Sequence, residues 1–132
     1  MRFATEKKIN ERSVLFIDDD DMVAAPYIKF LKQFGLEVIY ISNGVECEAF
    51  LDQNKVSLVV VDLVMPYFDG IEVTKLIRKK LSKDELPIIM LSSKKNEFDI
   101  EMASINGVNK FINKLEGPRV LLDSCNELLK KR

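Results

Sequence analysis

Four short runs in this chain are apolar at every position: Val14-Leu15-Phe16-Ile17, Val38-Ile39-Tyr40-Ile41, Leu58-Val59-Val60-Val61 and Ile88-Ile89-Met90-Leu91. Successive side chains of a strand point to opposite sides, so a strand with one wet face would alternate. Unbroken runs predict strands buried on both faces, as in a parallel sheet covered by helices. A shorter run, Phe111-Ile112, comes last. Each run is followed by a longer segment with helical spacing, clearest at Val23, Tyr27, Phe30, Leu31, Phe34 and at Leu121, Leu122, Cys125, Leu128, Leu129. Val73, Leu76, Ile77 and Phe98, Met102, Ile105 are shorter stripes, and all four read as core-facing. Strand then helix, five times over, predicts an α/β domain with a five-stranded parallel sheet and helices on both faces.

Turn residues agree with that division. Gly35 closes the first helix, Ser42-Asn43-Gly44 opens the second, Asp69-Gly70 precedes the third, and Gly107 and Gly117 flank the last strand. Pro87 stands at a strand start, where a missing N–H is tolerated. Pro26 is the exception: it falls inside the first helix and is expected to kink or delay it. The 132 residues suit one compact domain. Residues 1–12 read as an N-terminal extension and 13–132 as the domain.

Charge and composition exclude several function classes. Lys plus Arg number 20 against 21 Asp plus Glu, which gives no reason to expect nucleic acid or a membrane surface as partner. Lys130-Lys131-Arg132 reads as a complement to a helix C-terminus. Cys47 and Cys125 stand far apart, with no Cys-x-x-Cys, and read as reduced thiols. No segment approaches the ~20 apolar residues of a membrane span, and Met1 to Arg12 lacks a signal peptide's apolar middle, so a cytoplasmic protein is expected. Histidine is absent, which excludes a Ser-His-Asp triad, a His metal ligand and a phosphohistidine on this chain.

Acids mark the ends of two strands: Asp18, Asp19 and Asp20 after the first run and Asp62 after the third. Open parallel sheets bind ligands beyond the carboxyl ends of their strands, near the point where strand order reverses. In the flavodoxin-like order 2-1-3-4-5, the first and third strands are neighbours, which would set Asp18 and Asp19 beside Asp62. Two carboxylates ~4 Å apart repel by roughly 4 kcal/mol at an effective dielectric near 20. Such a cluster calls for a cation or a proton, and a divalent metal is the natural occupant. Asp20 reads instead as a helix-start acid.

The series Asp18-Asp19, Asp62-Leu63-Val64-Met65-Pro66-Tyr67-Phe68-Asp69-Gly70, Ser92 and Lys114 resembles the receiver domain of two-component response regulators, of the chemotaxis-regulator type. The resemblance runs from about Ser13 to about Leu129 and implies the flavodoxin-like order 2-1-3-4-5. It implies that Asp62 is the phosphoacceptor, charged by a histidine kinase or a phosphotransfer protein, since a carboxylate is a competent nucleophile. Mg²⁺ would be held by Asp19, Asp62 and the backbone carbonyl of Val64, with Asp18 acting through water. Lys114 would pair with the phosphoryl oxygens, and the Ser92 hydroxyl would reach them. Ser93 beside it reads as a cap and is the alternative for that role. Phe111 would move with Ser92 and switch the face made by the fourth helix, fifth strand and fifth helix, toward an output partner or a fused output domain. That face is also a possible dimer contact. The protein would turn over only its own phosphoryl group and would not otherwise be an enzyme. Val64 and Lys94 would tune the lifetime of the phosphorylated form.

Two departures stand beside the resemblance, one of them Pro26 in the first helix, which would shift the Asp19 to Asp21 loop or the surface on which the kinase docks. The family usually has proline after the lysine, often with a cis bond; here Leu115 follows, and a non-proline cis bond costs ~3 kcal/mol, so a trans bond is expected. The departure at Leu115 keeps open a phosphorylation-independent interaction module on the same fold. A haloacid-dehalogenase-like phosphatase is disfavoured, because Val64 stands where that family has its second aspartate. No Walker-type phosphate loop appears either.

Overall fold

The computed structural model describes residues 7–8, 11–93 and 96–130. Five strands, β1 (Ser13–Ile17), β2 (Glu37–Ile41), β3 (Leu58–Asp62), β4 (Ile88–Ser92) and β5 (Lys110–Asn113), form one sheet. All four pairings are parallel, in the order β2-β1-β3-β4-β5. The helices are α1 (Asp21–Gln33), α2 (Cys47–Gln53), α3 (Gly70–Arg78), α4 (Glu97–Ile105) and α5 (Pro118–Lys130).

The unbroken runs are explained by two core layers. On β1, Val14 and Phe16 face one layer with Leu31 of α1 and Leu121, Leu122 and Cys125 of α5. Leu15 and Ile17 face the other, with Cys47 of α2 and Val73 and Ile77 of α3. Strands β3 and β4 split the same way, Val60 and Leu91 to the first layer and Val61 and Met90 to the second. Alternation survives in direction, yet both directions are dry, so polarity does not alternate.

Three expectations change. Pro26 lies inside α1 but does not delay it. The helix begins at Asp21, because the Asp20 side chain accepts from the amides of Met22 and Val23 and fixes the start upstream of the proline. The α4 stripe is not core-facing: Phe98 and Ile105 are 66% and 69% exposed, and the buried residue of that helix is Ala103. A small side chain lets the helix lie close to its neighbours, and the apolar stripe is left on the outer side. Lys7–Lys8, in the segment read as an extension, pairs in parallel with Asn54–Lys55 as a small second sheet. The other stripes hold in their middles, with Leu31, Val73, Ile77, Leu121, Leu122, Cys125 and Leu128 buried, while Val23 and Phe34 at the ends of α1 are exposed. Lys94, Lys131 and Arg132 lie outside the described residues.

Candidate functional site

The site is assembled at the carboxyl ends of β1, β3 and β4 and the turn after β5. Because β1 and β3 are direct neighbours, the acids that follow them converge. Carboxylate oxygens of Asp18, Asp19 and Asp62 lie within 4.8 Å of one another. Asp18 is 1% exposed and Asp62 7%, whereas Asp19 faces solvent. Asp18 is held by the amide of Asp20, which donates to its Oδ1 at 3.0 Å, and its own carbonyl accepts from the Tyr40 hydroxyl of β2. Asp20 is the N-cap of α1 and stands apart from the cluster.

Among the described residues, one cation reaches both buried acids. Lys114 Nζ is 3.1 Å from Asp62 Oδ1 and 3.3 Å from Asp18 Oδ2. Burial pulls its pKa down, but Asp62 and then Asp18 outweigh burial, and the net direction is up. Burial pushes Asp62 up to about 6, with Asp18 adding to the rise and Lys114 opposing it. Among the described residues, one ammonium against three carboxylates leaves room for two more positive charges. The donor set is all oxygen, as a hard cation prefers, and its atoms lie within 4.8 Å of one another, close enough for an ion with bonds near ~2.1 Å and its waters to join them. The residues fit Mg²⁺.

Lys114 opens a short 3-10 turn, Lys114–Glu116, in which Asn113 and Glu116 form a reciprocal capping box. Among the described residues there is no cis peptide bond, so Leu115 follows Lys114 in trans as expected. Ser92 ends β4 fully buried, one residue beyond Leu91, the partner of Asp62 across the ladder. Ser93 is exposed, and the cap of α4 is Asn96. Phe111 is half-buried on β5 opposite Met90. Val64, two residues past Asp62, is 57% exposed. Tyr27 and Tyr40 were missed in the sequence because both act on main-chain carbonyls, which leave no sequence signal.

Gly70 shows how tightly the backbone beneath Asp62 is packed. Its amide donates to Leu63 O at 2.9 Å, and a Cβ there would meet the Asp62 carbonyl oxygen at 2.6 Å and Leu63 Cα at 3.0 Å. Backbone cannot swing aside as a side-chain tip can. Gly70→Ala is therefore expected to cost about 1–3 kcal/mol in urea unfolding and to shift the amide resonances of Asp62 and Leu63. An unshifted spectrum would contradict the close approach.

Comparison with known proteins agrees with this fold. The family model described as the response regulator receiver domain matches residues 14–126. The transcriptional regulatory protein GltR of Pseudomonas aeruginosa is 30% identical over 122 residues, 92% of this chain and 50% of GltR. The solved Francisella response regulator 1452 receiver domain is similar at 28% identity and a TM-score of 0.80, over 90% of this chain and 97% of that one. A probable two-component system response regulator/GGDEF domain protein gives 31% identity and a TM-score of 0.81 over 89% of this chain and 49% of that one. The chain thus spans about half the length of GltR and of the GGDEF protein. Among the described residues no helix is long and apolar enough to cross a membrane. With the family match running from the first core strand into the last helix, the chain belongs to the receiver domains of two-component response regulators.

Proposed function

We propose that this receiver, over residues 13–132, takes a phosphoryl group onto Asp62 from a histidine kinase or phosphotransfer protein in a Mg²⁺-dependent reaction. The observation that carries the reading is the single ammonium of Lys114 set between two buried carboxylates at adjoining strand ends. Asp19, Asp62 and the Val64 carbonyl would hold Mg²⁺ directly and Asp18 through water. When bound, the ion supplies positive charge against the charge that develops on the phosphoryl oxygens.

The protein groups divide the remaining work. Above its pKa of about 6, Asp62 is ionised and nucleophilic. Its oxygen forms the O–P bond as the donor's P–N or P–O bond breaks and that electron pair leaves with the donor. Lys114 then loses one carboxylate charge and gains a phosphoryl oxygen as partner, while the Ser92 hydroxyl donates to another. Phe111, on the strand between α4 and α5, carries the change to the α4-β5-α5 face. Exposed Phe98 and Ile105 of α4 give that face apolar surface for an output partner, a fused output domain or a second copy. The domain turns over only its own phosphoryl group and works in the cytoplasm, without direct contact to nucleic acid.

The test is intact mass after incubation with acetyl phosphate, with Mg²⁺ or with chelator. One phosphoryl adduct is expected on the native protein with Mg²⁺ and none with chelator or in Asp62→Asn. A native protein that binds Mg²⁺ yet gains no adduct would overturn the reading and leave a phosphorylation-independent interaction module.

A further inference from the structure

The turn that carries Lys114 is shaped mostly from within. Leu115 N–H donates to Asn113 Oδ1 at 2.8 Å, Asn113 N–H to Glu116 Oε2 at 3.0 Å, and Gly117 N–H to the Lys114 carbonyl at 3.2 Å. Among the described residues, one hydrogen bond to the main chain of the turn comes from a helix distant in sequence. The Tyr27 hydroxyl of α1 donates to the same Lys114 carbonyl at 2.7 Å, across 87 positions of sequence. The Tyr27 ring packs against the core layer between the sheet, α1 and α5. Leu115, by contrast, is 89% exposed, so the residue after the lysine contributes little packing to hold the turn.

We infer that Tyr27 is the positioning residue for Lys114: its hydroxyl anchors the main chain from which the ammonium spans Asp18 and Asp62. Burial raises the Tyr27 pKa, with Lys114 opposing and Asp18 adding, which agrees with a phenol lying in the field of both groups and staying protonated as a donor. A packed aromatic ring has few torsions left to vary, so it transmits the position of α1 to the turn. Without the hydroxyl the turn keeps its local bonds and its junction with β5 but loses its tie to α1. The ammonium then sits less closely over the nucleophile, and misplacements of ~1 Å are enough to slow a reaction many-fold.

The catalytic consequence rests on Asp62 being the phosphoacceptor; the contact itself does not. The experiment measures the phosphorylation rate with acetyl phosphate at saturating Mg²⁺ for native protein, Tyr27→Phe, Lys114→Ala and the double variant. Tyr27→Phe is expected to slow the native background about fivefold or more and the Lys114→Ala background by less than about twofold, since two residues acting through one group are not additive. Loosened packing alone would slow both backgrounds alike. In parallel, the lysine ¹³Cε resonance missing from Lys114→Ala is followed in the unphosphorylated protein, where Tyr27→Phe is expected to shift it. Equal slowing in both backgrounds, or an unmoved resonance, would overturn the inference. Should the native protein take no phosphoryl group, the Asp62 reading fails and the resonance alone decides the role of Tyr27.

Discussion

Arg78→Ala is expected to lower the unfolding free energy by about 3–4 kcal/mol, a fall of roughly 10–20 °C in Tm for a domain of this size. The guanidinium at the end of α3 donates to five oxygens. Nε reaches Gly107 O at 3.0 Å, Nη1 reaches the carbonyls of Leu81, Ser82 and Leu86 at 3.1, 3.0 and 2.9 Å, and Nη2 reaches Asn109 Oδ1 at 3.1 Å. Asn109 Oδ1 in turn accepts from the amide of Ile88 at 2.9 Å, so one side chain joins α3, the segment leading into β4 and the turn ahead of β5. Burial lowers the Arg78 pKa, and only the fork of a guanidinium reaches all these acceptors from one place. Gly107 is matched to it: at φ +102° it carries no Cβ, which would meet Arg78 Nε at 2.8 Å. Arg78→Lys should recover under half of the loss, because three donors on one nitrogen cannot span the set. Urea unfolding of the three proteins is the check, and a loss under about 1 kcal/mol for Arg78→Ala would show the acceptors are satisfied by water instead.

Arg78 also marks where the sequence stops being legible. The sheet was readable because its three inner strands had to be apolar on both faces, and that demand falls on every residue of Val14–Ile17 and Leu58–Val61. The acids were readable because they stand where those runs end, and strand order alone brings two strand ends together. Tyr27, Tyr40 and four of the five Arg78 bonds act on main-chain carbonyl oxygens that every residue possesses, so nothing in the partner's identity announces the bond. The α4 stripe misled for a related reason: periodicity shows that a helix has an apolar face, but Ala103 against the core serves packing as well as Phe98 would. Pro26 misled because the rule for helix interiors ignores the strength of a cap, and Asp20 sets the start before the proline is reached.

The second large effect has the opposite sign from the loss of phosphorylation proposed for the same variant: in chelator, Asp62→Asn is expected to stabilise the domain by on the order of 3 kcal/mol above pH 7. Burial raises Asp62 from the ordinary 3.8 to about 6, so the folded protein binds this proton more tightly than the unfolded chain does. Below pH 3.8 both states are protonated and the group contributes no difference. Between the two values the folded carboxyl stays protonated while the unfolded one ionises, and native stability falls as pH rises. Above about 6 both are ionised and the full deficit remains, an interval worth on the order of 3 kcal/mol. The gap between variant and native protein should therefore narrow to about 1 kcal/mol near pH ~4.5, and urea unfolding at the two pH values reads it directly. A gap independent of pH would show that Asp62 is not the titrating group. Mg²⁺ should close most of this gap, since free ion at about 100 times its Kd adds about 2.7 kcal/mol to a protein that binds it, and the Asp62→Asn change removes one of the proposed direct ligands. The buried acid is thus a stability deficit that the domain carries until a cation balances its charge.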